Sequence, residues 1–140
     1  MIITDILTKN SELYPDEISL VEVNPEIQER IDKAWKEYDL VEALPKPIHR
    51  RTLTWLEFEQ RSNKLAHYFL SRGVTKGSKV ALLLMNCIGW LPIYFGILKT
   101  GAVVAPMNFR FSSDEIKYCL DLSESNVLVF GPEFISRIDA

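Results

Sequence analysis

Apolar positions along this 140-residue chain follow two periods, and the switches between them mark its elements. Residues 79–85 form an unbroken apolar run after Lys79, too short for a helix and suited to a buried strand. Residues 90–100 then space Ile93, Ile97 and Leu98 as a helix does, with Tyr94 and Phe95 beside them, so that this helix is apolar nearly all round. Gly96 allows a close neighbour, and Gly101 ends the segment. A second apolar run covers 102–106, a helical pattern starts at Ser113, and a third run covers 127–130. Strand, helix, strand, helix, strand is the order of a parallel sheet with crossover helices, and strands apolar on both faces are those that helices cover on both sides.

Ahead of this core, residues 1–17 suggest a short helix ending near Tyr14-Pro15, and 18–23 alternate as a strand does. Asn24-Pro25 is a helix start, with Asn as cap and Pro in the first turn. Ile27, Ile31, Trp35 and Tyr38 give that helix a narrow apolar stripe opposite charged residues, and docking on its own chain is the simplest use of it. Leu44-Pro45-Lys46-Pro47 forces an extended link. His49-Arg50-Arg51 could be an anion patch, but a cluster so short is more simply a solvated strand entry. Thr54 and Glu57 form a capping box, with Leu53 and Phe58 placed for a hydrophobic staple. Trp55, Phe58, Ser62, Leu65 and Phe69 make one face of the long helix that follows, and Gly73 caps its end. His67 on this helix has no triad partner near it and reads as a packed or surface residue. Ser112 and Glu115 repeat the box, with Phe111 and Ile116 as staple. After the run at 127–130, Gly131-Pro132 leads into the start of another helix. Two units result: an approach segment, 1–52, and an incomplete α/β subdomain, 53–140.

Composition changes this picture little. Hydrophobic residues make up 47% and charged ones 25%, as in an ordinary globular domain. The formal net charge of −3 provides no basic field for nucleic acid. Polar and breaking residues interrupt 80–106, which excludes a transmembrane reading. No signal-peptide pattern opens the chain, so a cytoplasmic location is expected. Cys87 and Cys119 read as small buried apolar groups, since a metal site needs more ligands than lie near them.

The chemistry-bearing patterns are mostly absent. Residues 73–79 carry Gly, Ser and Lys but leave a helix and enter a strand, the reverse of a phosphate loop. No dinucleotide fingerprint, nucleophile elbow or His/Cys metal spacing occurs, and no catalytic or metal-ligating residue is identified. The first core strand ends in Met85-Asn86 without an acceptor aspartate.

Several phrases together resemble the adenylate-forming (AMP-binding) enzymes, in particular acyl-CoA synthetases. Leu53-Thr54-Trp55-Leu56-Glu57-Phe58 is similar to that superfamily's first motif. Residues 77–84 are similar to its first core strand, and residues 98–108 to its second motif. Asn86 to Trp90 is similar to its Asn-x-x-Glu-Trp phrase, with Gly89 where Glu is common. The resemblance implies the start of the synthetase fold. It also implies a fatty-acid–CoA ligase that uses ATP, CoA and Mg²⁺ and passes through an acyl-adenylate. The family's phosphate loop, adenine site and mobile-domain lysine have no counterpart before Ala140, so the 140 residues alone are expected not to adenylate. Arg110, in the loop after the second core strand, is the one candidate binding residue, as a contact for a CoA phosphate, though an ordinary surface arginine is the simpler reading. Expected partners are the remainder of the chain and a second copy, because open sheet edges favour association. An interaction or oligomerisation module without catalysis is the alternative.

Overall fold

The computed structural model describes residues 2–23 and 50–139. The expected helix after Asn24, the link at 44–47 and His49 lie outside the described residues. Helix α1 (Ile3–Leu13) starts where Asp5 accepts a hydrogen bond from the Ile2 N–H at 2.9 Å. Strand β1 (Ile18–Val23) pairs antiparallel with β2 (Arg50–Thr54). The pairing is irregular between Ile18 and Leu20, which throws the period-2 alternation out of phase. Ile18 is consequently 60% exposed, and the buried position of the strand is Glu22.

Helix α2 (Trp55–Ser71) begins as its sequence dictates. The Glu57 N–H donates to Thr54 Oγ1 at 3.2 Å, and the Thr54 N–H donates to Glu57 Oε2 at 2.9 Å. Two otherwise orphaned donors are thus satisfied. The helix ends where Gly73 takes a φ of 85°, a left-handed conformation that favours glycine. Phe58, Ser62 and Phe69 are buried on its inner face, and His67 is exposed.

Strand β3 (Lys79–Leu83), helix α3 (Trp90–Lys99), strand β4 (Val103–Pro106), helix α4 (Ser113–Ser123) and strand β5 (Val127–Phe130) follow in the expected order. A short 3-10 turn (Pro132–Phe134) and α5 (Ile135–Ile138) follow β5. Among the described residues β3, β4 and β5 form a parallel sheet in the order β4-β3-β5. The chain therefore moves from β3 to one side, then crosses back to the other. Right-handed crossovers in opposite directions place their helices on opposite faces of the sheet. One core cluster accordingly joins Phe69, Val74, Val80, Ile97 and Ala102 beneath α2 and α3. The other joins Leu83, Ile116 and Phe134 beneath α4 and the segment after β5.

Val80 through Leu83 are completely buried, as a strand covered on both faces should be. The same expectation fails for β4 and β5, where Val103 is 55% and Phe130 37% exposed. With three strands, two of them are edges, and apolar sequence alone does not tell an edge from a centre. Cys87 and Cys119 are free thiols and only half-buried, a correction to the buried reading; their neighbours in sequence are themselves exposed or half-buried, so neither position lies in a fully packed run.

Candidate functional site

Parallel strands collect their outgoing loops at one edge of the sheet. Here the loop 84–89 follows β3, the loop 107–112 follows β4, and Gly131 begins the exit from β5. In open α/β sheets the ligand side is this carboxyl edge, at the point where strand order reverses. The central strand anchors both neighbours there. The Met107 N–H donates to Leu82 O at 2.9 Å, and the Gly131 N–H donates to Leu83 O at 3.1 Å.

The 107–112 loop carries Arg110. Its backbone N–H donates to Asn108 Oδ1 at 2.9 Å, and the Phe111 N–H donates to Asn108 O at 3.0 Å. Asparagine closing its own turn in this way is a local property of the sequence. The turn leaves the Arg110 side chain exposed, with its guanidinium carbon 5.4 Å from the centroid of the Phe109 ring. Among the described residues Arg110 makes no ion pair. Met107, Phe109 and Phe111 point the other way, into the cluster around Leu83, Ile116 and Phe134. The loop is thus a rigid apolar base with one cation facing outward.

Ser112 then starts α4, and the Glu115 carboxylate receives its N–H at 2.8 Å and its Oγ–H at 3.0 Å. The backbone hydrogen bond, then the hydroxyl, hold the Glu115 carboxyl below the usual carboxylate value. Glu124 is lowered in the same direction by Lys79, which donates to it and pairs with its charge. Both carboxylates are exposed and ionised, and neither suits proton transfer near neutral pH.

A second polar cluster lies away from this edge. Glu59 Oε1 accepts from Lys99 Nζ at 2.8 Å, Thr8 Oγ1 at 3.1 Å and Asn63 Nδ2 at 3.2 Å. One carboxylate oxygen therefore ties α1, α2 and α3 together, which accounts for Lys99 as an architectural residue. Among the described residues no three His, Cys, Asp or Glu side chains are grouped to hold a metal ion.

Arg137 is the site residue that sequence reasoning passed over. Its Nη1 donates to the carbonyls of Phe109 at 2.8 Å and Phe111 at 3.2 Å. Nothing in the local pattern around 137 signals a partner so far back in the chain.

The family described as AMP-binding enzyme matches residues 31–139. A medium/long-chain-fatty-acid–CoA/3-oxocholest-4-en-26-oate–CoA ligase of Mycobacterium marinum is 37% identical over 86 residues, covering 61% of this chain and 16% of its own length. A crotonobetaine/carnitine–CoA ligase of Shigella flexneri serotype 5b is 37% identical over 81 residues, again 16% of its length. The chain thus spans about a sixth of the curated relatives it matches. Among solved structures, a Mycobacterium tuberculosis fatty acyl CoA synthetase superposes with a TM-score of 0.75 at 23% identity, over 98% of this chain and 22% of its own. The N-terminal domain of FACL13 from the same organism gives 0.74 at 24%, over 98% and 28%. At these identities the likeness speaks for the fold: the opening of the synthetase N-terminal domain.

Proposed function

Because this chain belongs to the AMP-binding enzyme family, we propose that it is the N-terminal portion of an ATP-dependent acid–CoA ligase acting on a fatty or related carboxylic acid. The observation that carries this reading is the family match across 31–139, supported by two relatives named as CoA ligases. In the reaction, a carboxylate oxygen attacks the α-phosphorus of ATP and pyrophosphate leaves. The CoA thiolate then attacks the acyl carbon and AMP leaves. The physical demand is to bring together anions that repel each other, which positive groups and fixed dipoles meet. Among the described residues no cluster of three potential metal ligands occurs, and we assign Mg²⁺ to no residue of this chain.

In this scheme the chain's own part is architectural, with one binding contact. Arg110 takes a CoA phosphate, since an exposed guanidinium held on an apolar base has donors to offer an oxyanion. Residues 1–52 serve as an approach segment and 53–140 as the first α/β subdomain, whose parallel sheet is separate from the β1–β2 pair. The remainder of the enzyme is the natural partner. A second copy is proposed too, on the half-exposed strands β4 and β5, and a monomer by light scattering at tens of micromolar would contradict it. We assign the protein to the cytoplasm; among the described residues no helix is long and apolar enough to cross a membrane.

The deciding experiment reads the gene downstream of the Ala140 codon and assays the complete product. A frame that continues through a Ser/Thr/Gly-rich loop, and a product that forms acyl-CoA and pyrophosphate from a fatty acid, ATP and CoA, are expected. The purified 140 residues are expected to form none. A complete product that turns over no carboxylic acid of any chain length rejects the ligase reading, and turnover by the 140 residues alone rejects the division of labour.

A further inference from the structure

Arg137 joins two loops that the sequence keeps far apart. It lies on α5, after β5, and its Nη1 reaches the Phe109 and Phe111 carbonyls of the loop after β4. Those two carbonyls flank Arg110. The guanidinium carbon also sits 5.5 Å from the centroid of the Phe134 ring, which is buried between β3 and α4 in the second core cluster. The 3-10 turn bearing Phe134 is itself fixed, its N–H donating to Gly131 O at 3.0 Å. The arm that reaches the loop is therefore mounted on a rigid support, and its charge strengthens both hydrogen bonds. A planar guanidinium can stack on a ring and donate in its own plane at once, which an ammonium cannot.

Within the loop, Asn108 accepts hydrogen bonds from the Arg110 and Phe111 amides, and Arg137 donates to the Phe109 and Phe111 carbonyls. The backbone of Arg110 is thereby fixed from both directions while its side chain stays exposed. We propose that Arg137 is a positioning residue: it locks the 107–112 loop in the conformation that presents Arg110 to an anionic phosphate group. This rests on the reading of Arg110 given above. Arg137 touches no substrate in this scheme. It acts through the loop, and its loss costs binding by letting Arg110 sample unproductive geometries.

Two measurements test it. In the 140-residue protein, Arg137→Gln is expected to speed hydrogen exchange of the Arg110 and Phe111 amides by about tenfold, with β3 and α3 unchanged. Equal exchange in both proteins overturns the clamp. In the complete enzyme, Arg137→Gln and Arg110→Ala are each expected to raise KM for CoA by roughly three- to tenfold at constant kcat, and the double variant to match Arg110→Ala alone. Effects that multiply show that Arg137 acts independently of Arg110 and overturn the proposal. If Arg110→Ala alone leaves KM for CoA unchanged, the phosphate reading fails by itself, and hydrogen exchange still decides the clamp.

Discussion

The Glu115 carboxylate shows how one residue links capping to pH. It is held ionised by the Ser112 N–H and hydroxyl, and its value lies below that of an unfolded glutamate. Its contribution is therefore fully present above the unfolded carboxylate value. It is lost as pH falls through the lowered folded-state value. Thermal unfolding of Glu115→Ala followed from about pH 6 to about pH 3 should accordingly show less acid destabilisation than the parent protein. Identical acid limbs would remove the carboxylate from that role. The Ser112–Glu115 pair was fully legible in the sequence, because a capping box is a fixed-offset pattern set by helix geometry. Arg137 was not, because its partners are backbone carbonyls brought near by tertiary folding, and backbone atoms carry no residue code. The left-handed Glu124, with φ of 52°, is a third case: α4 ends there without the glycine that would have announced it.

Between elements, the contact that sets the geometry is α2 against α3. A Cβ built on Gly96 would lie 2.7 Å from Leu65 Cβ and 3.1 Å from Ser62 O. Neither atom is the far end of a flexible chain, so the two helices must separate to admit even a methyl group. Gly96→Ala is expected to destabilise the protein by roughly 1–3 kcal/mol, several degrees in Tm, despite the helix propensity that alanine adds. A melting point equal to or above the parent's would show that the helices have room. Phe58 on α2 and Phe95 on α3 meet edge to face at 5.3 Å beside this contact, and Lys99 reaches across to Glu59. The close approach was foreseeable from a lone glycine inside an apolar helix; its partner was not. Element identity came from periodicity, which depends only on neighbours in sequence. The exposure of β4 and β5 depends on how many strands the sheet has, and hydrophobicity does not encode that number.

For the molecule as a whole, the strand order matters more than the strand list. β3 is the first core strand made and the most completely buried, yet it holds its neighbours on both sides. Val80 pairs with Val104 and also with Val127, so one of its ladders closes far along the chain. In a sheet of this kind the last strand made pairs with the first and not with its predecessor. During translation, at about 5–20 residues per second, β3 leaves the ribosome before either partner strand, and once β4 has paired its other edge is still open. It stays so until α4 and β5 have been synthesised. The nascent chain thus holds the fully apolar strand 80–83 half-paired for a few seconds, with α2 and α3 shielding one face and β4 one edge in that interval.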